Sequence, residues 1–279
     1  MKPAPFAYRK AFSLEEAIAL IGANPEGRFL AGGQSLIATL NMRLSAPAML
    51  IDINGISGLD GIVLNDDMLE IGALVRHAQA ERSALIARHA PLIALAVPHI
   101  AHVAIRNRGT VGGSIAFADP AAELPACLLA LDGEVVASGP KGTRTIKAAG
   151  FFKGLFETAL AADEMLIGVR VPAATADTRV AFAELARRHG DYAIVGLAAS
   201  ARSTTSGLRD VRLAYFGVGD TPVRATAAEA ALADGDVEAA VATLDLRPHD
   251  DVQASAAVKM HLAGVLLRRA AKQLREAQE

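Results

Sequence analysis

Two short segments with adjacent glycines stand out: Ala31-Gly32-Gly33-Gln34-Ser35 in RFLAGGQSL (28–36), and Thr110-Val111-Gly112-Gly113-Ser114 in IRNRGTVGGSIAFADPAAELP (105–125). Adjacent glycines permit positive φ angles and can turn several backbone N–H groups to one side, which suits an anion. Neither segment matches G-x-G-x-x-G or G-x-x-x-x-G-K-[ST]. A single glycine pair is usually an ordinary turn, but two similar segments predict a double cradle around one diphosphate.

The first glycine segment (31–35) lies in a predicted α/β unit. Ser13 and Glu16 form a capping-box pattern that opens the helix LEEAIALIGAN (14–24). The stretch RFL then predicts a strand that runs into the glycine turn. A second helix, SLIATLNMRL (35–44), and a short strand, Met49–Ile53, follow. A helix beginning at Ser35 would add its N-terminal dipole to an anion site.

The second glycine segment (110–114) lies in a longer region of strands and helices. We expect strands at GIVLN (61–65) and MLEIGALV (68–75), a helical region from His77 to about His102, and a loop over 105–125. A short helix and two strands are expected within 126–152, and a last strand, MLIGVRVP, ends at Pro172.

The stretch AATADTRV (173–180) is predicted to be a linker, and a different pattern of elements follows it. Three strand patterns, AFAELARR, AIVGLAASA and VRLAYFGVG, predict a meander, and two helices should follow at Thr226–Leu232 and Ser255–Glu279. In the last helix, Val258, Leu262, Val265 and Leu266 have helical spacing. The predicted class is therefore α+β, with subdomains at about 1–55 and 56–173 in a domain spanning 1–173, and a C-terminal domain spanning 178–279.

Composition excludes several classes of function. The 279 residues carry 28 Lys and Arg against 30 Asp and Glu, so no basic excess is available for nucleic acid. One cysteine excludes an internal disulfide and a multi-cysteine cluster. Cys127 lies in the apolar stretch PACLLAL and is expected to pack in the core. No stretch reads as a signal peptide or a membrane span, so a cytoplasmic protein is expected.

The motifs together resemble one protein family. AGGQSL, IRNRGTVGG, TVGGSIAFADPAAELP and ARRHGDYAIV (186–195) are similar, in order and spacing, to motifs of the flavoprotein (medium) subunits of molybdenum hydroxylases, such as carbon monoxide dehydrogenase and xanthine dehydrogenase. The resemblance covers essentially the whole chain. It implies an FAD-binding fold of the vanillyl-alcohol oxidase and MurB type (PCMH-like) followed by an α+β C-terminal domain.

The resemblance also implies a set of FAD-binding residues. The two glycine segments would hold the diphosphate mainly through backbone N–H groups. Asp119 would lie by the adenosine or ribityl end, Leu166 and Ile167 on the adenine side, and Tyr192 near the isoalloxazine ring. The complete set is Leu30, Ala31, Gly32, Gly33, Gln34, Ser35, Leu36, Thr110, Val111, Gly112, Gly113, Ser114, Asp119, Leu166, Ile167 and Tyr192.

Partners follow from the resemblance and the single cysteine together. The family passes electrons from a molybdenum site through [2Fe–2S] clusters to the flavin and then to an outside acceptor. This chain cannot hold those clusters, so a large molybdopterin-binding subunit and a small [2Fe–2S] subunit are implied, usually as a dimer of heterotrimers. Two alternatives stay open, namely a stand-alone FAD-dependent reductase or oxidase of the same fold and a scaffold that has lost its cofactor.

Some charged residues allow two interpretations. Arg187 and Arg188 either place positive charge near the flavin or form a solvated strand end. His99 and His102 are spaced to share one helix face, but metal binding needs a third ligand that the sequence does not offer. Packing or capping is therefore the favoured role of these histidines, and no metal site or catalytic residue is predicted.

Overall fold

A parallel sheet of three strands forms the N-terminal part of the chain. A computed structural model describes residues 2–276 of the protein. The elements of this part are β1 (Ala7–Lys10), α1 (Leu14–Ala23), β2 (Gly27–Leu30), α2 (Leu36–Asn41) and β3 (Met49–Asp52). Strand β3 lies between β1 and β2, and its carboxyl end therefore neighbours the point where β2 enters the first glycine segment.

Ser13 begins α1 as predicted. Its hydroxyl accepts the N–H of Glu16 at 3.1 Å, and the Glu16 carboxylate accepts the N–H of Phe12 at 2.8 Å. The reciprocal bonds of a capping box are therefore present, although the carboxylate reaches one residue further upstream than the capping residue itself.

An antiparallel sheet of five strands forms the second part. Its strands are β4 (Ile62–Asn65), β5 (Met68–Gly72), β6 (Glu134–Gly139), β7 (Gly142–Lys147) and β10 (Met165–Pro172). Their order is β4-β5-β10-β6-β7. Between β7 and β10 the chain forms a short helix and a small hairpin, α9 (Ala148–Phe151), β8 (Phe152–Gly154) and β9 (Glu157–Thr158).

Short helices connect β5 to β6. They are α3 (His77–Arg82), α4 (Ala84–His89), α5 (Pro91–Ala96), a 3₁₀ turn (Val97–His99), α6 (Val103–Arg106), α7 (Val111–Phe117) and α8 (Glu123–Ala130). The predicted loop over 105–125 is therefore wrong, because it contains all of α7 and parts of α6 and α8. The single helical region predicted before it is divided, since Ser83 ends α3 and Pro91 starts α5.

The C-terminal part is a four-stranded antiparallel meander with three helices. Its elements are β11 (Thr178–Leu185), β12 (Val195–Thr204), β13 (Gly207–Phe216), β14 (Val223–Arg224), α10 (Thr226–Ala233), α11 (Val237–Ala242) and α12 (Ala256–Arg275). The sequence predicted the first three strands and missed β14 and α11. The predicted end of the last helix, Glu279, lies outside the described residues.

The buried face of α12 agrees in part with the predicted one. Leu266 is buried as predicted and Leu262 packs against the core of the C-terminal part, whereas Val258 is 47% exposed. Leu267 and Leu274, outside the predicted set, complete the buried face.

One apolar core joins the second and third parts of the chain. Helix α8 packs against β12 and β13, and Cys127 on this helix is fully buried, as predicted. Within residues 2–276, no helix combines the length and the apolar character that a bilayer crossing requires.

Candidate functional site

The first glycine segment turns the chain sharply between β2 and α2. Gly33 has a φ of +74°, which glycine adopts without strain. Within residues 2–276, the consecutive backbone N–H groups from Gly32 to Leu36 donate no hydrogen bond. Ser35 precedes α2 but its hydroxyl does not cap the helix, and α2 is too short to add a large dipole. This segment therefore offers a row of unused donors.

The second glycine segment is the first turn of α7, and it differs sharply from the first segment. The N–H groups of residues 111–114 donate, in order, to the carbonyls of Val75 and Ala73, the Thr110 hydroxyl and the Thr110 carbonyl, at 2.9–3.1 Å. The expected cradle of free N–H groups is therefore absent here. Each donor already has an acceptor, and only side chains remain available for a ligand.

The two segments nevertheless lie against each other. A Cβ at Gly32 would collide with the Arg108 carbonyl oxygen and lie 2.9 Å from the Gly109 Cα. A Cβ at Gly113 would lie 3.9 Å from the Ala31 Cβ. The absence of side chains at the glycines thus allows close contact between residues about eighty positions apart in sequence.

A pocket of about 480 Å³ opens beside the first glycine segment. Arg108 lines it with an exposed guanidinium that forms no ion pair with any described residue. The remaining lining residues come from β2 to α2 and from the end of β3: Leu30, Ala31, Gly32, Gly33, Gln34, Ile37, Ala38, Asn41, Asp52 and Asn54.

Asn54 and Arg76 form hydrogen bonds that hold the first glycine segment near Arg108, just before the second segment. The Asn54 amide donates to the Ala31 carbonyl at 2.9 Å and to the Asp52 carboxylate at 2.7 Å. Arg76 donates to the Asn54 amide oxygen at 2.6 Å and also to the Arg108 carbonyl. Neither residue was predicted from the sequence. The signal that the sequence does carry is the position of Asn54 just after the strand that neighbours the first glycine segment.

Asp52 carries negative charge at the edge of this pocket. Burial acts to raise its pKa, but hydrogen bonds from Tyr8, at 2.5 Å, and from Asn54 outweigh burial and lower the pKa overall. The Asp52 carboxylate therefore accepts hydrogen bonds from Tyr8 and Asn54. The unused N–H groups from Gly32 to Leu36 and the guanidinium of Arg108 are the donors that remain for an anion beside this pocket.

Asp119 and Tyr192 lie near each other beyond the far end of α7. Burial raises the pKa of Asp119, and its carboxylate accepts the Ala121 N–H at 2.9 Å. The pKa of Tyr192 is raised by burial and then by the charges of Asp119 and Glu123. Tyr192 is still 60% exposed, and it lines a second pocket of about 430 Å³ together with Arg187, Gly190, Asp191, Val252 and Gln253.

Leu166 and Ile167 do not line the 480 Å³ pocket. The Leu166 side chain is buried in the core shared by the second and third parts of the chain. Ile167 is half-buried, and its carbonyl accepts the Ala73 N–H at 3.0 Å. The structure therefore places Leu166 as a packing residue and Ile167 close to the start of α7.

His99 and His102 lie in different elements, which corrects the predicted shared helix face. His99 ends the 3₁₀ turn and forms an ion pair with Glu184 on β11, with 3.3 Å between His99 Nδ1 and Glu184 Oε1. His102 precedes α6, and a Cβ at Gly190 would lie 2.9 Å from its ring.

Family models match almost the whole chain. Residues 4–174 match the FAD binding domain in molybdopterin dehydrogenase, and residues 180–274 match the CO dehydrogenase flavoprotein C-terminal domain.

Individual relatives agree. The chain is 42% identical to subunit alpha of the 6-hydroxypseudooxynicotine dehydrogenase complex of Paenarthrobacter nicotinovorans, over 84% of this chain and 80% of that one. It is 34% identical to the carbon monoxide dehydrogenase medium chain of Hydrogenophaga pseudoflava, over 97% of each chain.

Solved structures show the same fold. A chain of carbon monoxide dehydrogenase from Hydrogenophaga pseudoflava, in a form that lacks the Mo-pyranopterin moiety, matches with a TM-score of 0.95, 36% identity and 98% coverage of both chains. A chain of quinoline 2-oxidoreductase from Pseudomonas putida 86 matches with a TM-score of 0.93 and 32% identity, covering 99% of this chain and 98% of that one.

Proposed function

The chain belongs to the FAD-binding family of the molybdopterin dehydrogenases, as the medium subunit, and on this premise we propose that it is the electron-transfer subunit of a molybdenum hydroxylase complex. It would take electrons from a [2Fe–2S] subunit and pass them to an outside acceptor. When bound, FAD supplies the redox chemistry, and the protein supplies binding, orientation and control of access. Cytoplasmic location stays a prediction from the sequence.

One observation carries the proposal: the row of free N–H groups from Gly32 to Leu36. Backbone donors that converge on one side form an anion site, and Arg108 beside them adds a free positive charge. A Cβ at Gly32 would fill the space between the two glycine segments. These features fit the diphosphate of FAD, which needs several donors and close approach of the backbone.

We assign different roles to the two glycine segments. Residues Gly32 to Leu36 would bind the diphosphate directly through backbone N–H groups, while Leu30 and Ala31 would line the pocket beside it. Thr110, Val111, Gly112 and Gly113 would form the opposing wall, with the Ser114 hydroxyl as the available donor. Asp119 and Tyr192 would lie along the ribityl and ring end of FAD, and Ile167 would contribute through its backbone.

The proposed partners are a large molybdopterin-binding subunit and a small [2Fe–2S] subunit, assembled as a dimer of heterotrimers. The single cysteine supports this proposal, because a cluster needs several cysteine ligands that only another chain can provide. Relatives that are named as a medium chain or a complex subunit also support it.

Titration of the purified chain with FAD tests the binding half of the proposal. We expect binding to saturate at one FAD per chain, as measured by the visible absorbance of the flavin. We also expect ADP to compete with FAD, because ADP carries the same diphosphate. A chain that takes up no FAD, or that ADP does not affect, would contradict the assigned site.

Affinity purification of the full chain from its native cell tests the partner half. We expect the chain to retain a molybdopterin protein and an iron–sulfur protein. If it is instead recovered alone, and a small substrate bleaches its flavin without partners, the stand-alone reductase or oxidase becomes the correct function.

A further inference from the structure

Arg76 lies at the junction of the two glycine segments, and its backbone is fixed to the second one. On one side of it, the Val75 carbonyl accepts the N–H of Val111 at 2.9 Å. On the other side, the His77 N–H donates to the Gly109 carbonyl at 3.0 Å. The backbone at Arg76 is therefore held beside the start of the second segment, and its side chain extends toward the first.

The Arg76 guanidinium has two acceptors that belong to different parts of the chain. One terminal nitrogen donates to the Arg108 carbonyl, which is the oxygen that lies against Gly32. The other terminal nitrogen donates to the Asn54 amide oxygen at 2.6 Å. Because the guanidinium is planar and rigid, its two nitrogens fix the separation of these two acceptors.

Both polar atoms of the Asn54 side chain are used. Its nitrogen donates to the Ala31 carbonyl at 2.9 Å and to the Asp52 carboxylate at 2.7 Å, and its oxygen accepts from Arg76. An amide with two N–H groups and one oxygen satisfies these partners in only one orientation. Arg76 and Asp52 therefore hold the Asn54 side chain with one N–H directed at Ala31.

The bond from Asn54 to Ala31 sets the direction of the first unused donor in the first glycine segment. The Ala31 carbonyl and the Gly32 N–H belong to one planar trans peptide, so they point in opposite directions. Anchoring this carbonyl on Asn54 turns the Gly32 N–H away from Asn54. The next peptide is held in a similar way, because the Gln34 side chain donates to the Gly32 carbonyl at 3.1 Å.

These contacts form a closed ring at the junction of the two segments. The ring runs through Gly32, the Arg108 carbonyl, Arg76, Asn54 and Ala31, which is bonded to Gly32. Donors that are held in place before a ligand arrives lose less freedom on binding, so they bind it more tightly. Arg76 provides two of the hydrogen bonds in this ring.

We propose that Arg76 is a positioning residue of the diphosphate site, which acts through Asn54 to hold the Gly32 N–H in the direction of the ligand. This inference rests on the proposed function. Arg76 needs no contact with FAD for this role. It keeps the two glycine segments at a fixed separation and the backbone donors of the first segment in a fixed orientation.

Arg76→Lys separates position from charge, because lysine keeps the positive charge but lacks the planar fork. In FAD titrations we expect an affinity about tenfold below the native value, since a charged hydrogen bond is lost, and an equal loss at low and high salt. The matched control is Arg82→Lys on α3, where the guanidinium donates to Ala78 in its own helix, and it should bind FAD like the native chain. Native affinity in Arg76→Lys, or a loss confined to low salt, would overturn the proposal.

Asn54→Ala tests the same route at an exposed side chain, and it keeps the proposal testable if Arg76→Lys does not fold. We expect FAD affinity to fall about tenfold, because the Ala31 carbonyl loses its donor. The double variant should lose clearly less than the product of the two single losses, since both act through one chain of hydrogen bonds. Native affinity in Asn54→Ala would overturn the proposal, as would a double loss equal to that product, about 100-fold.

Amide NMR spectra of the ligand-free chain report the direction of the Gly32 N–H independently of affinity. In Arg76→Lys and in Asn54→Ala the Gly32 signal should shift, while the signals of β12 in the C-terminal part stay at their native positions. Arg82→Lys should leave both unchanged. A Gly32 signal that stays in place in both variants would overturn the proposal. A native chain that takes up no FAD would instead contradict the proposed function, so the two failures are distinguishable.

Discussion

The two glycine segments have similar sequences and each precedes a helix, but they use their backbone donors differently. In the first segment the N–H groups from Gly32 to Leu36 are unused, whereas in the second those of residues 111–114 bond to Val75, Ala73 and Thr110. The same glycine pair thus provides donors in one place and close packing in the other. The difference has two sources: the chain after β5 supplies the carbonyls of Ala73 and Val75, and Thr110 caps the helix of the second segment, whereas the first segment has neither.

Gly32→Val should have the largest effect on this contrast. Any side chain at Gly32 collides with the Arg108 carbonyl, so the two segments must separate and the diphosphate site is lost. We expect FAD affinity to fall by at least about 100-fold, equivalent to about 3 kcal/mol. Fluorescence titration measures this, with Gly61→Ala as the control because a Cβ there meets nothing within 4 Å. Unchanged FAD affinity in Gly32→Val would show that the first glycine segment does not bind FAD, and would contradict the different roles assigned to the two segments.

His77 makes the wall formed by the second segment sensitive to acid. Burial lowers its pKa to about 4, neither ring nitrogen has a hydrogen-bond partner among the described residues, and a Cβ at Gly109 would lie 2.8 Å from Nδ1. The folded pKa is below the unfolded value of 6.5, so the unfolded chain binds the proton more tightly. Stability is therefore lost as pH falls from 6.5 to about 4, by about 3 kcal/mol.

Chemical denaturation at several pH values measures the effect of His77. In His77→Gln this part of the pH dependence should disappear, while His261→Gln, which alters an exposed histidine on α12, should keep it. Equal pH dependence in the native chain and His77→Gln would show that His77 does not remain neutral in the folded protein.

Gly112→Ala should reduce stability more than FAD affinity. A Cβ at Gly112 would lie 2.6 Å from the Ala73 Cα, so α7 must shift away from the end of β5. We expect a loss of about 2 kcal/mol in the free energy of unfolding, measured by denaturant titration. A variant with native stability and no FAD binding would show that the second segment binds the ligand through its backbone after all.

Arg108→Gln should have the smallest effect. It removes the free guanidinium beside the first segment, with no ion pair to a described residue lost. We expect FAD affinity to fall about tenfold, or about 1.4 kcal/mol, and more at low salt than at high salt. Arg88→Gln, an exposed arginine on α4, is the control. Equal affinities in both variants would exclude Arg108 from the site.

The sequence predicted the elements whose signals are local. Ser13 and Glu16 mark the start of α1, apolar stretches mark the three long strands of the meander, and the apolar surroundings of Cys127 mark a buried helix. These features depend on residues a few positions apart, so one sequence is enough to find them.

The sequence failed where distant residues decide the outcome. Val111 to Phe117 was predicted as loop. Two adjacent glycines disfavour a helix, but contacts with Ala73 and capping by Thr110 stabilise α7. Asn54 and Arg76 were missed because their hydrogen bonds join segments far apart in the chain. Glu184 Oε2 is buried and has no hydrogen-bond partner among the described residues, and no sequence pattern indicates such an unpaired acceptor.

Amide hydrogen exchange, measured by NMR with and without FAD, tests the central claim most directly. We predict rapid exchange from Gly32 to Leu36 in the free chain and strong protection on binding FAD, because those donors gain acceptors only from the ligand. Residues 111–114 should be protected in both states, since their acceptors lie within the chain. Protection gained at residues 111–114 while Gly32 to Leu36 stay unprotected would contradict the account.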